Sequence, residues 1–135
     1  MIRFAASLLA GLALVAAAAA QGQDPTGTYL SESGDTRVRI ARCGNVFCGT
    51  IAAVRGEPKD VNNPDPSLRN RSLVGVRMIS DIGPSGDGFE GSLYNYKDGK
   101  TYSGRMRFQG GNAMQLSGCV LGGLICRTQV WTKVN

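Results

Sequence analysis

Residues 89–108 read FEGSLYNYKDGKTYSGRMRF. Asp98-Gly99 is a strong two-residue turn signal between two alternating runs. A two-residue loop there pairs Lys97 with Lys100, Asn95 with Tyr102, Leu93 with Gly104 and Phe89 with Phe108. The opposite face then pairs Glu90 with Arg107 and Ser92 with Arg105. One face is largely apolar and the other charged, as a strand pair with one buried face requires. A three-residue loop at Gly110-Gly111-Asn112 sets Phe108 opposite Met114 and Met106 opposite Leu116, so the same face continues inward.

Working outward, Gly122-Gly123 closes a last hairpin and pairs Val120 with Ile125 and Cys119 with Cys126. Parity then puts Leu116, Gly118, Val120, Ile125, Arg127, Gln129 and Trp131 on the interior face, and Cys119, Cys126, Thr128 and Val130 outside. Towards the N-terminus, Val38 and Ile40 are expected to face Ala53 and Ile51, with Cys43 opposite Cys48 on the outside. No stretch holds a 3.6-residue period for ten residues, so the class is all-β. Strands are predicted near 27–31, 36–43, 46–54, 73–80, 88–97, 100–109, 113–121 and 124–134. About eight strands in one small domain suit an antiparallel up-and-down barrel. Gly49, Gly91, Gly104 and Gly118 fall on the interior face, where they leave room or accommodate aromatic rings.

The start of the chain is of a different character. Met1-Ile2-Arg3 is a short positive opening, residues 4–17 are apolar and uncharged, and Ala18-Ala19-Ala20 precedes Gln21. Residues 1–20 read as a secretory signal peptide and 21–135 as a single domain; a membrane anchor is the competing reading. No later segment is apolar enough to span a membrane. The expected address is the periplasm or the extracellular space. Cys43, Cys48, Cys119 and Cys126 then read as two disulfides, with three connectivities open. Shared facing within each hairpin favours Cys43–Cys48 and Cys119–Cys126. A four-thiolate zinc site competes, but the usual C-x2-C spacing is missing.

Composition narrows the function classes. Among 135 residues there is no His, which removes His-based triads, bases and metal ligands. Fifteen Lys+Arg stand against ten Asp+Glu, a net of +5 that is scattered along the chain, so nucleic acid is not an expected partner. No metal and no cofactor are expected, and with both thiol pairs oxidised no catalytic motif remains. The interior face nevertheless carries polar groups. Asn95, Tyr102, Arg127, Gln129 and Trp131 are the candidate ligand-binding residues. Arg127 is either a structural plug at one barrel end or the partner of a ligand's acid group. In both cases its charge needs an anion, expected from Asp60, Asp65 or the ligand.

Those aspartates belong to a long loop between Val54 and Leu73, with Pro58, Pro64 and Pro66. A loop of this length in a small domain is expected to lie over a barrel mouth as a lid or binding loop. Its candidate residues are Asp60, Asn63, Asp65, Arg69 and Arg71. Arg69 and Arg71 are both expected to reach Asp60 or Asp65, stapling the loop. An acid/base pair of Asp60 and Asp65 is disfavoured, because carboxylates beside arginines stay ionised.

The stretch Asp60 to Gly75, Asp-x-x-Asn-Pro-Asp-Pro-x-Leu-Arg-x-Arg-x-Leu-x-Gly, resembles the signature of the bacterial exported domain-of-unknown-function family 2147. So do Tyr94 with Gly99-Lys100-Thr101-Tyr102, and the ending Leu116-x-Gly118-Cys119 and Cys126-Arg127-Thr128-Gln129-x-Trp131. The resemblance implies a lipocalin-like (calycin) barrel and export, and no activity. Gly27-Thr28-Tyr29 stands where such folds open with Gly-x-Trp, and Tyr29 and Phe89 replace expected tryptophans. The reading is an exported small barrel, foremost a binding module for a small or amphipathic ligand. The alternative is a non-catalytic structural or interaction protein of the envelope with a filled barrel.

Overall fold

The computed structural model describes residues 24–135; the expected signal peptide lies outside them. Eight antiparallel strands close into one barrel in chain order: β1 (Gly27–Leu30), β2 (Thr36–Cys43), β3 (Val46–Val54), β4 (Arg77–Ser85), β5 (Gly88–Asn95), β6 (Lys100–Phe108), β7 (Ala113–Val120) and β8 (Ile125–Lys133). The β1–β8 pair makes the closure, which removes the exposed edges of an open sheet. In this topology the β1–β2, β3–β4, β5–β6 and β7–β8 connections share one end. The other three connections and the chain terminus share the opposite end.

The two C-terminal hairpins have the expected registers, with Phe108 opposite Met114, Met106 opposite Leu116, Val120 opposite Ile125 and Cys119 opposite Cys126. The β5–β6 register differs from expectation. The loop has four residues, so Asn95 faces Lys100, Leu93 faces Tyr102 and Phe89 faces Met106. The reason is local hydrogen bonding. The Asn95 carbonyl accepts from the backbone N–H of Asp98 (3.3 Å) and Gly99 (2.8 Å), and its side-chain oxygen accepts from Lys97 N–H at 3.0 Å. The slip is two residues, and an even slip leaves every side chain on its expected face.

The β2–β3 hairpin also slips by two. Cys43 faces Val46 and Cys48 faces Ala41, so the disulfide partners are diagonal rather than opposite. Gly44 has φ 74, which permits a tight two-residue turn with glycine first. Val38 faces Ile51 and Ile40 faces Gly49, with a bulge next to Arg37. Both disulfides, Cys43–Cys48 and Cys119–Cys126, are present, which marks a protein of an oxidising compartment rather than the cytoplasm.

The fourth strand begins and ends later than the predicted 73–80. Leu73 to Val76 belong to the loop: Leu73 N–H bonds Pro58 and Val76 N–H bonds Leu73. Gly83-Pro84-Ser85 has the composition of a turn yet continues β4, with Pro84 opposite Phe89. A register shift between Ser80 and Gly83, with Asp81 at φ 54, absorbs the irregularity.

The interior divides in two along the barrel axis. Towards the end that holds the chain terminus, Tyr29, Phe108, Phe89 and Phe47 form a chain of tilted and edge-on rings with centroids 5.8–6.3 Å apart. Val38, Ile40, Ile51, Ile79, Ile82, Met106 and Met114 pack beside them, all fully buried. The room beside Gly49 is occupied by Val38 and Ile79, and that beside Gly104 by Leu93. Towards the other end the core gives way to a cavity.

The bridge Cys119–Cys126 closes a short loop, so its loss mainly frees the β7–β8 hairpin. Replacing both cysteines by alanine is expected to cost about 2 kcal/mol. Equilibrium urea unfolding measures it. Unreduced peptide mapping should return the 43–48 and 119–126 pairs.

Candidate functional site

The cavity opens where the β1–β2, β5–β6 and β7–β8 connections meet, and its volume is about 630 Å³. Its floor is apolar: Met78, Leu93, Leu116 and Trp131, each no more than 7% exposed. Alternation along β5, β7 and β8 puts Leu93, Leu116 and Trp131 inward, and Met78 comes from the start of β4. Val120 and Ile125 carry the apolar wall up to the mouth.

The rim is polar and held by a strap. Asp35, after the β1–β2 turn, accepts hydrogen bonds from Ser31 and Thr36 hydroxyls at 3.0 Å each. Lys97 of the β5–β6 turn meets its other oxygen at 2.5 Å, and Thr36 shares a hydrogen bond with Tyr96 at 2.5 Å. Burial pushes the Asp35 carboxyl up, but these donors outweigh burial and hold it well below the usual carboxylate range. The strap ties two connections across the mouth and leaves the β6–β8 side open.

Of the five residues expected to bind a ligand, Tyr102, Arg127 and Gln129 stand on that open side, Asn95 at the strap's turn and Trp131 in the floor. Asn95, Tyr102, Arg127, Gln129 and Trp131 all line this one cavity. Gln129 accepts from the Trp131 indole N–H at 3.1 Å and so orients the ring. Tyr102 donates to Asp98, and that bond raises its pKa. The Asn95 side-chain oxygen is occupied by Lys97 N–H, within the turn.

Arg127 faces the barrel side of β8, while Thr128 faces out and bonds Ser117 at 2.7 Å. It departs from expectation in two respects. It is exposed through the mouth rather than buried, and neither Asp60 nor Asp65 reaches it. Among the described residues it has no ion-pair partner.

The long loop runs from Val54 to Arg77 and does not line the cavity. It is not a lid; it docks beside the mouth on the β5–β6 turn. Asp60 is fully buried. It accepts from the Tyr94 hydroxyl at 2.6 Å, the Asn63 amide at 2.8 Å and Arg71 Nε at 2.9 Å. Asn62 donates to the carbonyls of Tyr96 (3.3 Å) and Lys97 (3.1 Å). Gly99, at φ +72, lies against the Asn62 carbonyl so closely that a Cβ there would collide with it. Arg69 bonds the Asn63 carbonyl at 2.7 Å rather than a carboxylate. Asp65 caps the short 3-10 turn Pro66–Leu68 through Ser67.

The stretches Asp60–Arg71 and Tyr94–Tyr102, both noted in the sequence, are therefore two halves of one lock. The residues that sequence reasoning missed are in the strap: Ser31, Asp35, Thr36, Tyr96 and Lys97. The available signal was the polar turn at 31–36, where Thr36 shares facing with Val38 and Ile40.

Comparison with known proteins agrees with this architecture. Residues 27–133 match the family model described as an uncharacterized protein conserved in bacteria (DUF2147), and the chain belongs to that family. No curated protein matches it. Among solved structures it is similar to protein HP1028 from the human pathogen Helicobacter pylori, which belongs to the lipocalin family. That similarity has 25% identity and a TM-score of 0.74, over 83% of this chain and 84% of that one. The barrel is lipocalin-like. No helix among the described residues is long and apolar enough to cross a membrane.

Asp60→Asn should destabilise the fold by about 3 kcal/mol, because it breaks the ion pair of a buried carboxylate with Arg71 and the hydrogen bond from Asn63 to the same oxygen. Burial raises the Asp60 pKa, but Tyr94, Asn63 and Arg71 outweigh it and the value is lowered. The stability contributed by Asp60 is therefore complete above the free aspartate value of about 3.9. It is lost as pH falls through the lower, folded value. Urea midpoints measured from neutral pH down to acid should fall less steeply for Asp60→Asn than for the wild type.

Proposed function

We propose that this member of the DUF2147 family is an exported binding protein, in the periplasm or outside the cell, that holds a small amphipathic molecule with an acidic head. The observation that carries the reading is the cavity of about 630 Å³. It has an apolar floor and, at its rim, an arginine without a carboxylate partner among the described residues. The volume lies within the roughly 300–1,000 Å³ of small-molecule sites. An apolar tail fits against Met78, Leu93, Leu116 and Trp131. An acid group at the mouth meets the Arg127 guanidinium, whose planar fork suits a carboxylate or phosphate.

The lipocalin-like fold supports a ligand inside the barrel, and the cavity argues against a filled one. We propose no catalysis. Asp35 and Asp60 are surrounded by donors that keep them ionised. Burial raises Tyr29 to about 12, and burial with the Asp60 bond raises Tyr94 to about 12. None of these is poised to move a proton near neutral pH.

Trp131 is the single tryptophan and sits in the cavity floor, so its fluorescence reports occupancy. Oleate is expected to quench or shift it, and the matching alcohol to bind more weakly. Arg127→Leu should weaken oleate binding roughly 10- to 100-fold, the effect of losing a charge-assisted hydrogen bond. It should leave the thermal midpoint of the empty protein unchanged, because no buried partner is abandoned. Equal affinity of wild type and variant, or no binding by either, would overturn the reading. Native mass spectrometry of protein taken from its own compartment identifies the natural occupant.

A further inference from the structure

The β7–β8 connection, residues 121–124, carries the most exposed large apolar side chains of the described residues. Leu121 is 68% and Leu124 86% exposed. Their neighbours Val120 and Ile125 are also exposed and line the cavity mouth. Four apolar side chains within residues 120–125 thus meet water, continuous with the apolar wall of the cavity.

The backbone adds an independent observation. Leu121 has φ 54, in the left-handed region that glycine enters freely and an L side chain does not. Glycines at 122 and 123 follow with φ 65 and 93. A leucine therefore occupies a position suited to glycine, and its side chain is not buried within the described chain. Cations flank the tip. The Arg105 guanidinium lies against Gly123, its nearest carboxylate, Glu90, is 3.9 Å away, and Arg127 is the next inward-facing residue after Ile125.

We propose that this tip docks the protein on an anionic lipid bilayer, with the cavity mouth turned to the membrane. The inference rests on the binding reading above and names the source of its ligand. A stable protein interface takes about 800 Å² from each partner, more than a four-residue hairpin tip presents. A bilayer asks only that the leucines reach the acyl boundary while arginines stay at phosphate level. Charge complementarity selects anionic lipid, for the arginines and the net positive charge, +5 for the whole sequence and +4 without Arg3 of the leader, both oppose a cationic surface. In that pose an amphipathic molecule passes from the bilayer along Val120 and Ile125 to the cavity floor, its acid group meeting Arg127.

Flotation with vesicles of phosphatidylcholine mixed with phosphatidylglycerol, against phosphatidylcholine alone, tests the docking. The wild type should float with the anionic vesicles, and added salt should weaken this. Leu121→Ser/Leu124→Ser should reduce binding roughly tenfold or more, and Arg105→Ala about fivefold. Leu121→Gly/Leu124→Ser removes the same side chains and relieves the strained backbone, so it keeps the test valid if the serine pair folds poorly. Both double variants should still bind oleate in solution, since Leu121 and Leu124 do not line the cavity. Undiminished flotation of the variants, or none by the wild type, overturns the docking and leaves the cavity reading standing. A wild-type dimer abolished by the same changes, without vesicle binding, assigns the tip to a second copy and also overturns it. Failure of oleate to bind the wild type counts against the cavity reading instead, and the vesicle arms then decide the docking alone.

Discussion

A buried carboxylate governs the open end of this barrel. Asp60 is fully inaccessible, and it is tolerable there only because Tyr94, Asn63 and Arg71 supply three donors. Those donors come from β5 and from both arms of the loop, so satisfying one charge folds the loop on itself and pins it to the barrel. The consequences extend to the mouth. With the loop held against the β5–β6 turn, Lys97 and Tyr96 are placed to reach Asp35 and Thr36. The loop's carboxylates, Glu57, Asp60 and Asp65, are engaged within it, which leaves Arg127 without a carboxylate from it. Arg127 and Lys100 thus both line the cavity without an ion-pair partner among the described residues.

Much of the fold was legible because strand facing is robust to errors in register. The β2–β3 and β5–β6 registers each differ from expectation by two residues, and a shift of two preserves inward and outward faces. Cys43 and Cys48 still share the outer face, and Asn95, Tyr102, Arg127, Gln129 and Trp131 still converge on one cavity. The turns themselves were harder to read. At Asp98-Gly99 a two-residue loop competes with a four-residue one, and side-chain bonds from Asn95 and Asp98 decide between them. At Gly83-Pro84 the composition suggests a turn, whereas pairing with Phe89 continues the strand. The strap was illegible for another reason. Asp35 and Lys97 lie 62 positions apart, and only barrel closure brings them together.

The same physics explains why the loop could be recognised but its role could not. Asp60, Arg69 and Arg71 read as a staple, and Arg71 does bond Asp60. Arg69 serves a carbonyl instead, and Asp65 serves a turn. A sequence shows complementary charges within reach of one another, but not the backbone groups that compete for them. In a loop with three prolines, and so few regular backbone bonds of its own, that competition is strong.

The barrel's two ends carry different burdens, and the disulfides follow that division. At the end holding the terminus, an aromatic chain and a dense aliphatic core secure the hairpins, and Cys43–Cys48 sits beside Phe47 at its margin. At the open end the cavity removes core packing, so each connection needs another restraint. The β1–β2 and β5–β6 turns have the polar strap, and the β3–β4 loop has the Asp60 lock. The β7–β8 hairpin has neither: its tip is exposed, and Leu121 holds a strained conformation. Directly beneath that tip lies Cys119–Cys126, with Cys119 almost wholly buried. A covalent clamp there keeps the hairpin paired without covering its leucines, as a tip required to meet a partner in an unburied state would need.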